Sequence, residues 1–182
     1  MADKKTIQSL LDKVEKTTSK HKIDLSSAED LSVGVMNLIS IEEHLFFSAQ
    51  KTGKPQYLEL LNEVRTMRTE LMKEIIKDYE GEVWCVSKHL LSASMRLIEV
   101  GTKELKKGDK KKAWYLFEKA YKLYSLFWGI NLDIVRIEEI RRNTIEDPVI
   151  DLIDEGGKKK GSVSVFDKLG AIIKKAVNCC KE

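Results

Sequence analysis

Proline is almost missing from this chain, with two in 182 residues, and glycine is held to ten. That scarcity leaves few turns for a many-stranded β fold, and the long 3.6-residue periodicities described below favour helices. Cysteine is scarce too. Three thiols do not make the framework of a disulfide-stapled secreted domain. No stretch of about 18 apolar residues offers a membrane span, and no signal-peptide pattern opens the sequence. A soluble, cytoplasmic protein is the expectation. Signatures of several enzyme classes are also missing: there is no HExxH, no C-x-x-C, no P-loop and no GxSxG.

What is present is a globular balance, 42% apolar and 34% charged, in a chain long enough for one domain with a substantial core. The net charge of +3 is too mild to imply nucleic acid by itself.

The stretch from Glu80 to Asn131 holds all three tryptophans and reads as two long amphipathic helices joined at Gly108-Asp109. The rest is expected to pack around it. Residues 4–20 form a modest first helix with Ile7, Leu10, Leu11 and Val14 on one face. Ser26 and Glu29 look like a capping box opening the next helix, whose stripe runs Ala28, Leu31, Val35, Leu38, Ile39, Leu45, Phe46 and Ala49 and ends near Gly53. Pro55 suits the first turn of a third helix, with Leu61, Val64, Leu71, Met72, Ile75 and Tyr79 inward and Gly81 as its stop. The central pair carries Leu90, Leu91, Leu97, Ile98 and Leu105, then Ala113, Phe117, Ala120, Tyr124, Phe127 and Trp128, with the last helix continuing toward Arg142. Short links make sequential helices antiparallel. The fold expected is all-α: an up-down antiparallel bundle of four long helices, with an N-terminal helix and a separate C-terminal amphipathic helix. The expected divisions are 1–25 for the N-terminal helix and connector, 26–145 for the bundle, 146–162 for an acidic segment with a Gly/Lys linker, and 163–182 for the basic C-terminal helix.

Residues 94–127 resemble a single tetratricopeptide repeat. Gly101, Gly108, Ala113, Phe117 and Ala120 stand where that family has its small and aromatic positions. Leu97 and Ser125 depart from the family's Trp and Pro. The windows one period away do not repeat the pattern. The resemblance implies a tight helical hairpin and a role as a protein-binding scaffold.

Some polar residues sit where apolar ones belong. Glu42 falls at the centre of its stripe and Arg68 at the centre of the next, with Arg65 beside it. An antiparallel turn at Gly53 brings these levels together. A lone buried carboxylate is costly, so Glu42 is expected to pair with Arg68 or Arg65, helped by Tyr121 or Tyr124. This cluster reads either as a register-fixing ion pair or as a polar pocket for a small ligand. Ser87, Ser94 and Gly101 recur every seven residues down the apolar face of their helix, which points to close helix contact or to a groove. Asn131, central on its own face, pairs with a backbone group or marks a helix end. Glu82, Cys85 and His89 share one helix edge and form a candidate metal or thiol site.

Lys103, Lys106, Lys107, Lys110, Lys111 and Lys112 make one end of the central hairpin basic, a solvated end or a docking surface for phosphate, nucleic acid or an acidic membrane. The cluster lacks Arg and interleaved aromatics, which argues against sequence-specific nucleic acid. Val149-Ile150-Asp151-Leu152-Ile153 looks like a SUMO-interacting motif. The C-terminal helix sets Phe166, Leu169, Ile172, Ile173 and Val177 on one side against lysines on the other. It suits a partner's groove, an anionic membrane or its own domain, and Cys179-Cys180 are candidate acylation sites.

The reading that follows is a non-catalytic helical adaptor, with no cofactor expected. It would have a protein partner and a docking helix that can also make a peripheral membrane contact. The alternatives are a ligand-binding or enzymatic bundle centred on Glu42 and Arg68, and a peripheral membrane protein anchored by its tail.

Overall fold

The computed structural model describes residues 4–21, 24–77, 81–135 and 170. The described chain is all-helical, with five helices and no strand: α1 (Lys4–His21), α2 (Leu25–Thr52), α3 (Gln56–Ile75), α4 (Glu82–Lys106) and α5 (Lys110–Asn131). None of these helices is long and apolar enough to cross a membrane.

Local chemistry sets the helix ends, in places not where the sequence pattern puts them. Asp24, not Ser26, caps α2: its carboxylate accepts from the Ser26 N–H at 3.1 Å and from the Ser27 hydroxyl at 2.8 Å. A charged acceptor with two donors outcompetes a serine hydroxyl at the positive end of a helix. Gly53 ends α2 at φ 66°, where a side chain would be strained. Pro55 stands one position before α3 rather than in its first turn. α3 stops at Ile75, short of Gly81, because Ile76 turns extended and carries its side chain into the core with no exposure. Gly81 instead precedes α4. Gly108, at φ 88°, makes the turn after α4, and Asp109 accepts from the Lys112 N–H at 2.9 Å as the expected cap of α5. α5 ends at Asn131, with Leu132 as its cap. The expected continuation to Arg142 runs past the described residues beyond 135, and Tyr79 also falls outside them.

α2 packs on α3, α4 on α5, and α2 on α4. Contacts between Glu42 and Arg65, and between Gly101 and Phe117, fix the first two as antiparallel hairpins. The main core joins them at one end. It gathers Val35 and Met36 from early α2, Met72, Ile75 and Ile76 from the end of α3, Leu90 and Leu91 from early α4, and Phe127, Trp128 and Leu132 from the end of α5, with Val14 added by α1. The Phe127 and Trp128 rings meet edge-on, 5.1 Å between centroids. Fully burying an aromatic of this size contributes roughly 1.5–3 kcal/mol, so this pair anchors the shared end.

Phe46, Ile98 and Leu105, each expected to be inside, are exposed. A place on the stripe sets the direction of a side chain, not how much of it a neighbouring element covers.

Candidate functional site

The expected acid and guanidinium do meet. The Arg68 Nε donates to Glu42 Oε1 at 2.7 Å and its Nη2 to Oε2 at 3.3 Å. The Arg65 Nε donates to the same Oε2 at 2.9 Å. Arg68 also sets Nη1 3.7 Å from the Met72 sulfur. The side chains of Glu42 and Arg68 are 11% and 6% exposed, while Arg65 is 54% exposed. Burial pushes the Glu42 carboxyl up, but hydrogen bonds from Arg68 and Arg65, with their charges, outweigh it and hold the group below its ordinary range. A carboxylate with both oxygens engaged by two fixed guanidinium groups has little capacity left for a ligand.

The expected tyrosine helpers lie elsewhere. Ser32 gives its hydroxyl hydrogen to the Glu29 carbonyl at 2.7 Å, so the 2.7 Å contact between Ser32 and Tyr124 is a donation from the phenol. Burial pushes the Tyr124 phenol above its ordinary range. Ser32 is ten residues before Glu42, about 15 Å along α2, which is why Tyr124 cannot serve both. Tyr121 donates to the Gly170 carbonyl at 3.2 Å.

The serines of α4 mediate close helix contact. Ser87 and Ser94 are fully buried. Ser87 accepts from the Asn131 side-chain nitrogen at 2.9 Å, and that nitrogen also donates to the Phe127 carbonyl at 2.8 Å in the last turn of α5. Asn131 thus both pairs with backbone and closes its helix. Ser94 donates to the Leu90 carbonyl at 2.8 Å. At Gly101 an added Cβ would stand 2.5 Å from the Phe117 ring. Among the described residues, two core groups, Ser125 Oγ and Trp128 Nε1, have no hydrogen-bond partner.

Glu82, Cys85 and His89 are not brought together as metal ligands. Among the described residues no group of three or more His, Cys, Asp or Glu is placed to hold a metal ion, and Cys85 is an exposed free thiol. Adjacent turns of α4 leave all three side chains exposed along one edge. The tail docking face from Phe166 to Val177, the 149–153 motif, the Gly/Lys linker and Cys179-Cys180 lie outside the described residues, apart from Gly170.

A groove of about 560 Å³ opens between α2 and α4. Ile41, His44 and Phe47 line it from α2, and Arg96 and Glu99 from α4. Arg96 bridges Glu43 and Glu99. The signal was available in the sequence: Ile41 and Phe47 sit off the buried stripe, where polar residues are expected.

Fold and side chains together define an all-helical domain with a closed ionic cluster and an open lateral groove. Comparison with family models, curated proteins and solved structures finds no match to this chain.

Proposed function

We propose that the chain is a non-catalytic helical adaptor, four long helices acting as one scaffold, whose α2–α4 groove receives an apolar segment of a protein partner. One observation carries this reading: the polar cluster is closed while the groove is open. A ligand-binding or enzymatic bundle needs a solvent-reachable cavity at its reactive groups. Glu42 and Arg68 spend their hydrogen bonds on each other, and the groove is lined by Glu43 instead. Ile41 and Phe47 remain exposed on its walls, the ordinary mark of a recognition surface. Arg96, held between two acids, offers a charged rim.

The tetratricopeptide-like pattern at residues 94–127 agrees with a scaffold role. The segment 163–182 serves as a second docking element. Tyr121 of α5 donates to the Gly170 carbonyl, a contact that supports this element's working beside α5.

Affinity capture from the native source with the intact chain and with Phe47→Asp tests the reading. The intact protein should retain a partner that Phe47→Asp loses, with helicity unchanged in both. Recovery of the same partner by Phe47→Asp would exclude the groove. Loss of that partner on deleting residues 163–182 alone would move the docking to the tail.

A further inference from the structure

The tip of the α4–α5 hairpin carries a surface unrelated to the groove. Six lysines, at positions 103, 106, 107, 110, 111 and 112, share it with only two acids, Glu104 and Asp109. Both acids are committed. Glu104 lies 2.9 Å from Lys107 and 3.6 Å from Lys112, and Asp109 caps α5. Among the described residues, Lys103, Lys106, Lys110 and Lys111 make no ion pair.

The charges are not spread evenly. Gly101 against Phe117 fixes which faces of the two helices meet. Stepping about 100° per residue from there puts Lys106, Lys110 and Lys111 on one side of the hairpin. Glu104, Lys107 and Lys112 fall on the other. Leu105 and Trp114 turn to the side of the unpaired lysines. Trp114 is 72% exposed, the most of any large apolar side chain described, and Leu105 is 47% exposed. An unpaired cationic cluster beside an exposed indole and an exposed aliphatic side chain matches the chemistry of a bilayer surface. Lysine heads reach lipid phosphates while their stems and the indole settle among the headgroups.

We propose that this side of the tip docks on an anionic lipid bilayer. Trp114 and Leu105 enter the headgroup region, and Lys106, Lys110 and Lys111 lie over the negative lipids. A nucleic acid accounts for less of the patch: Leu105 offers no stacking face, and the tip has no arginine to fork onto phosphate or base.

The test uses the full chain and vesicles of phosphatidylcholine, with or without phosphatidylserine. The wild-type protein should sediment with the serine-containing vesicles only, release as salt is raised, and show a blue-shifted tryptophan emission that Trp114→Phe removes. Lys110→Ala/Lys111→Ala should lower partitioning about ten-fold or more. Lys103→Ala/Lys119→Ala removes the same charge from the opposite side and should change it less than about two-fold. Thermal melts establish that each variant is folded. Equal losses in both double variants would mean undirected attraction. Unchanged binding in both would place the contact in residues 163–182. An RNA oligonucleotide bound through Trp114, with no vesicle association, would assign the patch to nucleic acid. Each of these three results overturns the proposal.

Discussion

Glu42 and Arg68 face each other across the α2–α3 interface through two hydrogen bonds, at 2.7 and 3.3 Å, with almost no exposure of either side chain. Arg65 reaches the same carboxylate from the solvent side. The two arginines are therefore unequal. Removing one member of a buried pair strands the other charge and costs about 3–5 kcal/mol. An exposed partner contributes about 0–1 kcal/mol. Glu42→Ala and Arg68→Ala should each cost about 3 kcal/mol in urea denaturation, and Arg65→Ala less than about 1 kcal/mol. The double variant Glu42→Leu/Arg68→Met should recover most of the loss. Similar costs for the two arginine variants would show that burial does not set the strength of the cluster.

The same cluster makes a pH prediction. The Glu42 carboxyl lies below its ordinary range when folded, because the guanidinium hydrogen bonds outweigh burial. The folded protein thus holds this proton less readily than the unfolded chain. The associated stability is fully present above the unfolded carboxyl value of about 4.3 and is lost as pH falls through the lower folded value. Stability curves of the wild type and Glu42→Gln should run apart at neutral pH and converge below about pH 4. A constant gap down to acid pH would remove the ionised carboxylate from the account.

This cluster was legible in the sequence for a definite reason. A charge at the centre of an apolar stripe must find a partner, and a tight turn at Gly53 sets which residues come level. The companions of Tyr121 and Tyr124 were not legible. They depend on how α5 is rotated against α2, and periodicity within one helix carries no information on that. The same limit applies to Phe46, Ile98 and Leu105. Their place on the stripe says which way they point, while their exposure depends on how the two hairpins pack around the core that holds Trp128, Leu91 and Met72. Helix ends went astray where a better cap stood nearby, as Asp24 does beside Ser26.

Tyr124 and Ser32 tie α5 to α2 at that shared end. Tyr124→Phe keeps the ring and deletes only the phenol hydrogen bond, leaving Ser32 still bound to the Glu29 carbonyl. The expected cost is about 1 kcal/mol, read as a lower denaturation midpoint with unchanged slope. A loss several times larger would mean that the hydroxyl holds together more of the core than this one contact.

Gly101 and Phe117 set the spacing of α4 and α5. Alanine at a helical glycine ordinarily gains about 1 kcal/mol, yet here its Cβ would press 2.5 Å from the Phe117 ring. Overpacking of that kind costs about 1–3 kcal/mol. Gly101→Ala should therefore destabilise, by about 1 kcal/mol net. Phe117→Leu opens space, so it should cost less in the Gly101→Ala background than alone, with a coupling of about 1 kcal/mol. Additive effects would show that the ring moves aside freely.

The first turn of α5 holds Lys110, Lys111 and Lys112 and no acid. A helix begins at its positive end, so each of these cations opposes the backbone dipole at a cost of about 0.3–1 kcal/mol. At the end of α4 the dipole favours Lys103 and Lys106, and Glu104 offsets Lys112. Lys110 and Lys111 have neither compensation. Lys111→Glu should therefore raise stability by about 0.5–1 kcal/mol in low salt, the gain shrinking as salt is added. If the tip serves an anionic bilayer, the same substitution weakens vesicle binding. A variant that binds less while melting higher cannot owe its loss to unfolding, so the two readouts together isolate the surface charge. Lower stability in Lys111→Glu would instead mean that the lysine contributes to the fold.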